Sequence, residues 1–330
     1  MAEKKIRVFY RAAGHVPLWK VMEEGGFLEK HGVKVELGSR EDLREKALEE
    51  LRAGELDIIS GNHHNLYAPC ALRGEPFVYL AQTNNVWKEN WLVARDGISG
   101  IRDLKGKRVA MDDFHSHTGL NVWLYLRLHG LEEGRDVELV NGEKKGLDRA
   151  RKVMAGEHDA TFVRPVERLR AQAIGANVIE VSSMPMIEGV TITTTTTYVN
   201  RHEDEVRRLL LALVDAIHFF KTRRRDTLDI LNRSCRDVLK FQSAQEEAVF
   251  YDHEVVSLER KPYPTMEAIQ NVFALAAREN PEMQAFNPLV LWDLHYIREI
   301  DDTGYIDRLY AQSQTSSERS YGNEKLRKTQ

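Results

Sequence analysis

Cysteine is scarce: only Cys70 and Cys235 occur in 330 residues. That excludes a scaffold built on a disulfide framework. Two distant cysteines in a chain this long read as free thiols in a reducing compartment. Long apolar runs are missing too. The longest, Leu209 to Phe220, is interrupted by Asp215 and His218 and falls short of the roughly 20 apolar residues that cross a bilayer. No block of Lys or Arg is large enough to form a nucleic-acid footprint. The net charge is −4, and the local run Arg223-Arg224-Arg225 reads as a solvated helix end. Neither a P-loop nor a Gly-x-Gly-x-x-Gly nucleotide pattern occurs, and no repeat of solenoid period is visible. The N-terminal stretch Lys4-Lys5-Ile6-Arg7-Val8-Phe9-Tyr10 lacks the apolar core of about 7–15 residues that an export signal needs. The expectation is therefore a cytoplasmic protein without a membrane span or a nucleic-acid partner.

What is present is ordinary for a globular chain, with 42% apolar and 30% charged residues and enough length for two domains. The first third alternates strand and helix. Ile6–Tyr10 reads as a strand, Pro17 opens a helix reaching Glu24, and Val33–Leu37 is a second strand. Glu41–Arg52 is an amphipathic helix stopped by Gly54, followed by strand Leu56–Ser60, helix Asn62–Leu72 and strand Phe77–Gln82. A second α/β unit has strands at Lys107–Met111, Val137–Val140, Asp159–Val163 and Asn177–Val181. Helices over Ser116–His129 and Gly146–Ala155 separate them. The threonine run Thr191–Val199 reads as extended, because β-branched side chains are stiff and favour strands. Beyond Arg201 the pattern is helical, over Val206–Thr222, Asp226–Asn232, Ala244–Leu258 and Thr265–Ala277. Residues 313–330 are polar and read as a disordered tail.

Three motifs carry a resemblance: Gly26-Phe27-Leu28-Glu29-Lys30-His31-Gly32, Leu51-Arg52-Ala53-Gly54-Glu55-Leu56-Asp57, and Asp103-Leu104-Lys105-Gly106-Lys107-Arg108-Val109-Ala110. Together they resemble the type II periplasmic-binding-protein superfamily, in its nitrate/sulfonate/taurine-type and thiamine-pyrimidine-synthase-like branch. The resemblance implies an α/β fold: a two-lobed clamp of doubly wound mixed sheets joined by two hinge strands, with a helical C-terminal extension. It implies lobe one from residues 1–90 plus 195–312 and lobe two from 91–194. Trp91–Arg95 would be the outward crossing, and the threonine run the return. With no export signal visible, the chain reads as a leaderless cytoplasmic member.

In such sheets ligands bind beyond the carboxyl ends of strands, at loops and helix N-termini. Five such loops are rich in His, Asn and Thr. The first holds Arg11 and His15. The second is Asn62-His63-His64, at a helix N-terminus that attracts anions. The third holds Thr83 and Asn84, with Trp87 as an apolar wall. The fourth is Asp112-Asp113-Phe114-His115-Ser116-His117-Thr118. The fifth holds Arg164, a clamp for a carboxylate, sulfonate or phosphate, with Glu188 following before the return strand.

Arg11, Asn62, Thr83, Asn84, Trp87, Ser116, Thr118, Arg164 and Glu188 are the candidate binding residues. His15, His63, His64, His115 and His117 are the candidate acids and bases, since imidazole titrates near neutral pH. The leading expectation is an enzyme that acts on a small anionic, aromatic or carboxylated molecule as a decarboxylase-like lyase, without a cofactor, as a monomer or weak homo-oligomer. The first alternative is a solute-binding protein or ligand sensor. The second is a metal-dependent lyase or hydrolase holding its ion through His115, His117 and Asp112. The sequence departs from two enzymes of the resembled group. Ala12-Ala13-Gly14-His15 stands where the desulfinase has a cysteine. The cysteine-rich segment and pyridoxal-phosphate lysine of the pyrimidine synthase have no counterpart here.

Overall fold

The computed structural model describes residues 5–10, 12–38 and 43–312. The chain builds two five-stranded mixed sheets. Its strands are β1 (Ile6–Tyr10), β2 (Val35–Gly38), β3 (Ile58–Ser60), β4 (Phe77–Val86), β5 (Trp91–Ala94), β6 (Arg108–Met111), β7 (Glu138–Asn141), β8 (Ala160–Val163), β9 (Val178–Glu180) and β10 (Pro185–Thr195). The first sheet runs β2-β1-β3-β10-β4 and the second β7-β6-β8-β5-β9. In each, three parallel strands are followed by one antiparallel strand, β10 or β5, and each of these is the first strand after the chain crosses between lobes. The central strands β3 and β8 are buried at every residue, as a parallel core covered on both faces requires.

Helices α1 (Val16–Glu24), α2 (Phe27–Lys30), α3 (Leu43–Ala53) and α4 (Tyr67–Arg73) belong to the first unit, and α5 (His117–Leu128), α6 (Gly146–Met154) and α7 (Pro165–Ala173) to the second. A helical extension follows: α8 (Thr196–Arg201), α9 (Glu203–Thr222), α10 (Arg224–Ser234), α11 (Arg236–Leu239), α12 (Ala244–Ser257), α13 (Met266–Glu279) and α14 (His295–Asp302). The long α9 buries Leu209, Leu213, Ile217 and Phe220 against the first sheet. Ile269, Val272 and Leu275 of α13 join one apolar cluster with Tyr79 of the first sheet and Met111 and Tyr125 of the second unit. Among the described residues no helix is long and apolar enough to cross a membrane.

The crossings lie elsewhere than the sequence suggested. The chain leaves the first sheet through residues 87–90 and returns through 181–184. The two segments are bonded side by side: Trp87 N–H donates to the Met184 carbonyl at 2.9 Å and Val181 N–H to that of Asn90 at 3.1 Å. Trp91–Ala94 is already a strand of the second sheet. Residues 185–194, assigned above to the second lobe, are hydrogen-bonded into the first. The threonine run also divides. Thr191, Thr193 and Thr194 are buried in β10, and the Thr193 and Thr194 hydroxyls donate to the Gly61 and Asp57 carbonyls, each at 2.7 Å. Thr195 instead accepts from Tyr198 N–H at 3.0 Å and caps α8, so Thr197–Val199 are helical. The hydroxyl that favours a strand by β-branching also makes a good N-cap. The expected tail, 313–330, lies outside the described residues.

Candidate functional site

A cleft of about 590 Å³ opens between the lobes, a size that suits a small organic ligand. Its first wall is built from the ends of β1 and β3. His15 closes a short 3-10 turn ahead of α1, where Pro17 sits at a position whose missing N–H costs nothing. The His15 ring lies over Gly61, whose φ is +102° and where a Cβ would fall 2.5 Å from the ring. Only glycine allows that approach. Asn62 follows with φ +70°, a region asparagine tolerates. The Tyr79 hydroxyl donates to the His63 carbonyl from below.

The ring nitrogens of this wall are fixed by their partners, because a carbonyl only accepts. His15 Nδ1–H donates to the Ser60 carbonyl at 2.9 Å. His63 Nε2–H donates to the Gly189 carbonyl at 3.2 Å. His117, at the start of α5, donates from Nε2 to the Ile187 carbonyl at 3.1 Å, and its Nδ1 lies 3.3 Å from His64 Nδ1. The His63 and His117 rings are 4.6 Å apart and those of His15 and His63 6.0 Å. Burial pushes the His15 pKa down to about 3, and the neighbouring His63 adds to it. His15 is therefore neutral at physiological pH and offers the cleft an acceptor nitrogen, not an acid.

The second wall carries charge. Ser116 caps α5, accepting from Gly119 N–H at 2.8 Å and donating to Asp112 at 2.7 Å, while Thr118 faces the cleft. Gly119 is required there, since a Cβ would fall 1.9 Å from the Asp113 carbonyl oxygen. Arg164 is the N-cap of α7, its N–H received by Glu167 at 3.2 Å. Its side chain is 46% exposed, and it opens on the cleft. Arg164 Nε donates to Glu89 at 3.3 Å. Burial opposes the guanidinium charge, but Glu89, Glu188 and Glu167 outweigh it and raise its pKa. Glu188 lines the cleft from β10 and accepts from Asn121 at 2.9 Å.

The same arrangement of lobes, hinge and cleft recurs in solved structures. The chain is similar to the aliphatic sulphonate binding protein SsuA of Escherichia coli (19% identity, 85% of this chain and 89% of that one, TM-score 0.64). It is similar to the periplasmic sulfonate-binding protein SsuA of Methylobacillus flagellatus (17%, 91% and 95%, 0.66). It is also similar to a mutant of the desulfurization enzyme DSZB in complex with biphenyl-2-sulfinic acid (15%, 90% and 99%, 0.57). These likenesses show the fold, the two-lobed one of periplasmic binding proteins. The family model described as NMT1/THI5 like matches residues 14–223. The chain belongs to the NMT1/THI5-like family. No curated protein matches its sequence.

In this NMT1/THI5-like chain the structure gathers His15, Asn62, His63, His64, Ser116, His117, Thr118, Arg164 and Glu188 at one cleft. Arg11 lies outside the described residues. Thr83, Asn84 and Trp87 do not line the cleft. Thr83 and Asn84 are spent on the β4–β10 pair: Thr83 donates to the Val190 carbonyl at 2.9 Å and Asn84 to Ser257 at 3.0 Å. The Trp87 ring packs 4.8 Å from Tyr125 and 5.2 Å from Phe162, tying the hinge to the second lobe. His115 stands at the rim, 77% exposed and bound to Glu279 at 2.6 Å. Among the described residues no group of three or more His, Cys, Asp or Glu is placed to hold a metal ion.

A third wall had no sequence signal. Phe241, Phe250 and Glu254, from α12 and the loop before it, close the cleft from the side. Lys88, in the hinge, donates to Glu254 at 2.8 Å. Burial raises the Glu254 pKa, but Lys88 and His253 outweigh that and hold it at about 2. Arg170 of α7 grips Glu246 of α12 with two bonds of 2.8 and 2.7 Å.

Proposed function

We propose that this protein is a ligand-binding clamp for a small organic acid, of the solute-binding or ligand-sensing kind. One observation carries the reading: the Arg164 guanidinium, fixed at a helix N-terminus, opens into an interlobe cleft with a phenyl wall at Phe241 and Phe250. A planar fork of donors suits a sulfonate, sulfinate or carboxylate, and the rings suit an apolar body. Titration calorimetry against short and aromatic sulfonates, sulfinates and carboxylates tests it. Saturable 1:1 binding that Arg164→Gln removes supports the reading; absence of binding to every class ends it.

Acid–base catalysis is the second reading, favoured by the convergence of four imidazoles, His15, His63 and His64 from the first lobe and His117 from the second. It rests on His63, His64 and His117, because His15 is neutral at physiological pH and its one N–H is committed to the Ser60 carbonyl. Release of carbon dioxide or sulfite from an aromatic carboxylate or sulfinate, lost in His63→Ala, His64→Ala or His117→Ala with the fold intact, would favour the lyase. Retained substrate with full binding favours the clamp.

A further inference from the structure

Glu89 stands out among the charged groups around the cleft. It lies in the outgoing hinge segment, its side chain is 6% exposed, and among the described residues it has a single side-chain hydrogen bond, from Arg164 Nε to Oε1 at 3.3 Å. Among the same residues its other oxygen, Oε2, is buried without a partner. A fully charged carboxylate normally collects several donors when it is taken out of water. Its surroundings do not provide them. Arg164 faces it from the start of α7, shared with Glu188 and Glu167, and Arg149 faces it from α6. Arg149 is itself committed to Thr161 and to the Glu143 and Phe162 carbonyls. Glu167 of α7 and Asp112 of the β6–α5 loop add like charge. The adjacent Lys88 turns away to Glu254 of α12.

We infer that an acid ligand and the Glu89 carboxylate compete for Arg164, so that the clamp takes up one proton at Glu89 for each anion it binds. The inference rests on the anion-clamp reading above and adds a linkage to it. Two anions on one guanidinium repel, and the buried one with an idle oxygen is the cheaper to neutralise. Burial already lifts Glu89 to about 7, with Arg164 and Arg149 opposing it. A ligand anion on Arg164 weakens that opposition and lifts it further. The group then changes charge in the physiological range on binding, and its place in the hinge puts the change where the two lobes pivot.

The experiment is titration calorimetry of the full chain with ethanesulfonate and benzenesulfonate, neither of which titrates between pH 5 and 9. Buffers of different ionisation enthalpy count the protons. Uptake approaching one proton at pH 7.5–8, and affinity falling toward about tenfold per pH unit above the Glu89 pKa, is the expected result. Glu89→Gln should bind with no proton uptake and with affinity flat from pH 6 to 9. Binding by wild type without proton uptake overturns the linkage and leaves the clamp standing. Uptake that persists in Glu89→Gln overturns the assignment to Glu89. No binding of either sulfonate at any pH removes the clamp reading for sulfonates, and the linkage with it. The wild-type proton count decides the matter even if the variant fails to fold.

Discussion

The histidine corner and the arginine corner of the cleft are held in different ways. His15, His63 and His117 are each tied to a main-chain carbonyl, of Ser60, Gly189 and Ile187. A ligand cannot outbid a carbonyl that is part of the sheet, so these rings form a preset surface. Arg164 is instead tied to another side chain, Glu89, and that partner can be displaced or neutralised. One corner supplies shape; the other supplies an exchangeable charge. The lesson is that counting imidazoles overstates acid–base power: a ring whose nitrogen is committed to the backbone, as His15 is, acts by position.

The largest effect expected from breaking this contrast is at the arginine. Arg164→Gln should weaken anion binding by about 10- to 100-fold, as loss of a charged hydrogen-bond donor at a half-exposed position costs about 1.5–3 kcal/mol. Its thermal midpoint should fall modestly at neutral pH, because the buried Glu89 loses its Arg164 donor, and calorimetry beside thermal unfolding reads both. The opposite pattern is expected in the histidine corner. Gly189 has φ +68°, and a Cβ there would fall 2.3 Å from Asn84 Oδ1, which is fixed by Thr83. Gly189→Ala should therefore cost about 2–4 kcal/mol of stability by denaturant unfolding, with any affinity loss following from misplacement of His63.

A pH series sharpens the comparison further. The folded Glu89 pKa, about 7, is raised above its ordinary 4.5. Wild type therefore carries the full benefit of protonated Glu89 below about 4.5 and loses it as pH climbs through about 7. Glu89→Gln escapes that loss. Its melting-temperature difference from wild type should grow between these values in favour of the variant, then level off; a constant difference would contradict the raised pKa. The smallest effect belongs to His115→Ala. An exposed side-chain contact with Glu279 contributes about 0.5 kcal/mol or less, so both stability and affinity should stay near wild type.

Much of this was legible in the sequence. The β/α alternation set out four strands of the second sheet, missing only β5, which reads as a crossing, and Gly61-Asn62-His63-His64 and the Asp112–Thr118 loop were recognisable as strand-to-helix turns facing a common edge. What escaped depends on contacts distant along the chain. Thr83 and Asn84 look like ligand contacts because they are polar and follow an apolar strand. β4 simply continues through them to Val86, and β10 and Ser257 absorb their hydrogen bonds. Lys88-Glu89 reads as an unremarkable charged linker until the fold buries it beside Arg164 and Glu254. Phe241 and Phe250 have the pattern of any amphipathic helix; only the packing of α12 against α7 turns them toward the ligand. The threonine run misled because the same residue type serves a strand at Thr194 and a helix cap at Thr195.

The grip of Arg170 on Glu246, with Arg278 bound to Glu133 at 2.8 Å, spans the two jaws with ion pairs. Jaws fastened by charge loosen in brine. Raising ionic strength should thus speed the parting of the lobes while it weakens the hold on an anion, so the time a guest spends inside shortens from both causes at once.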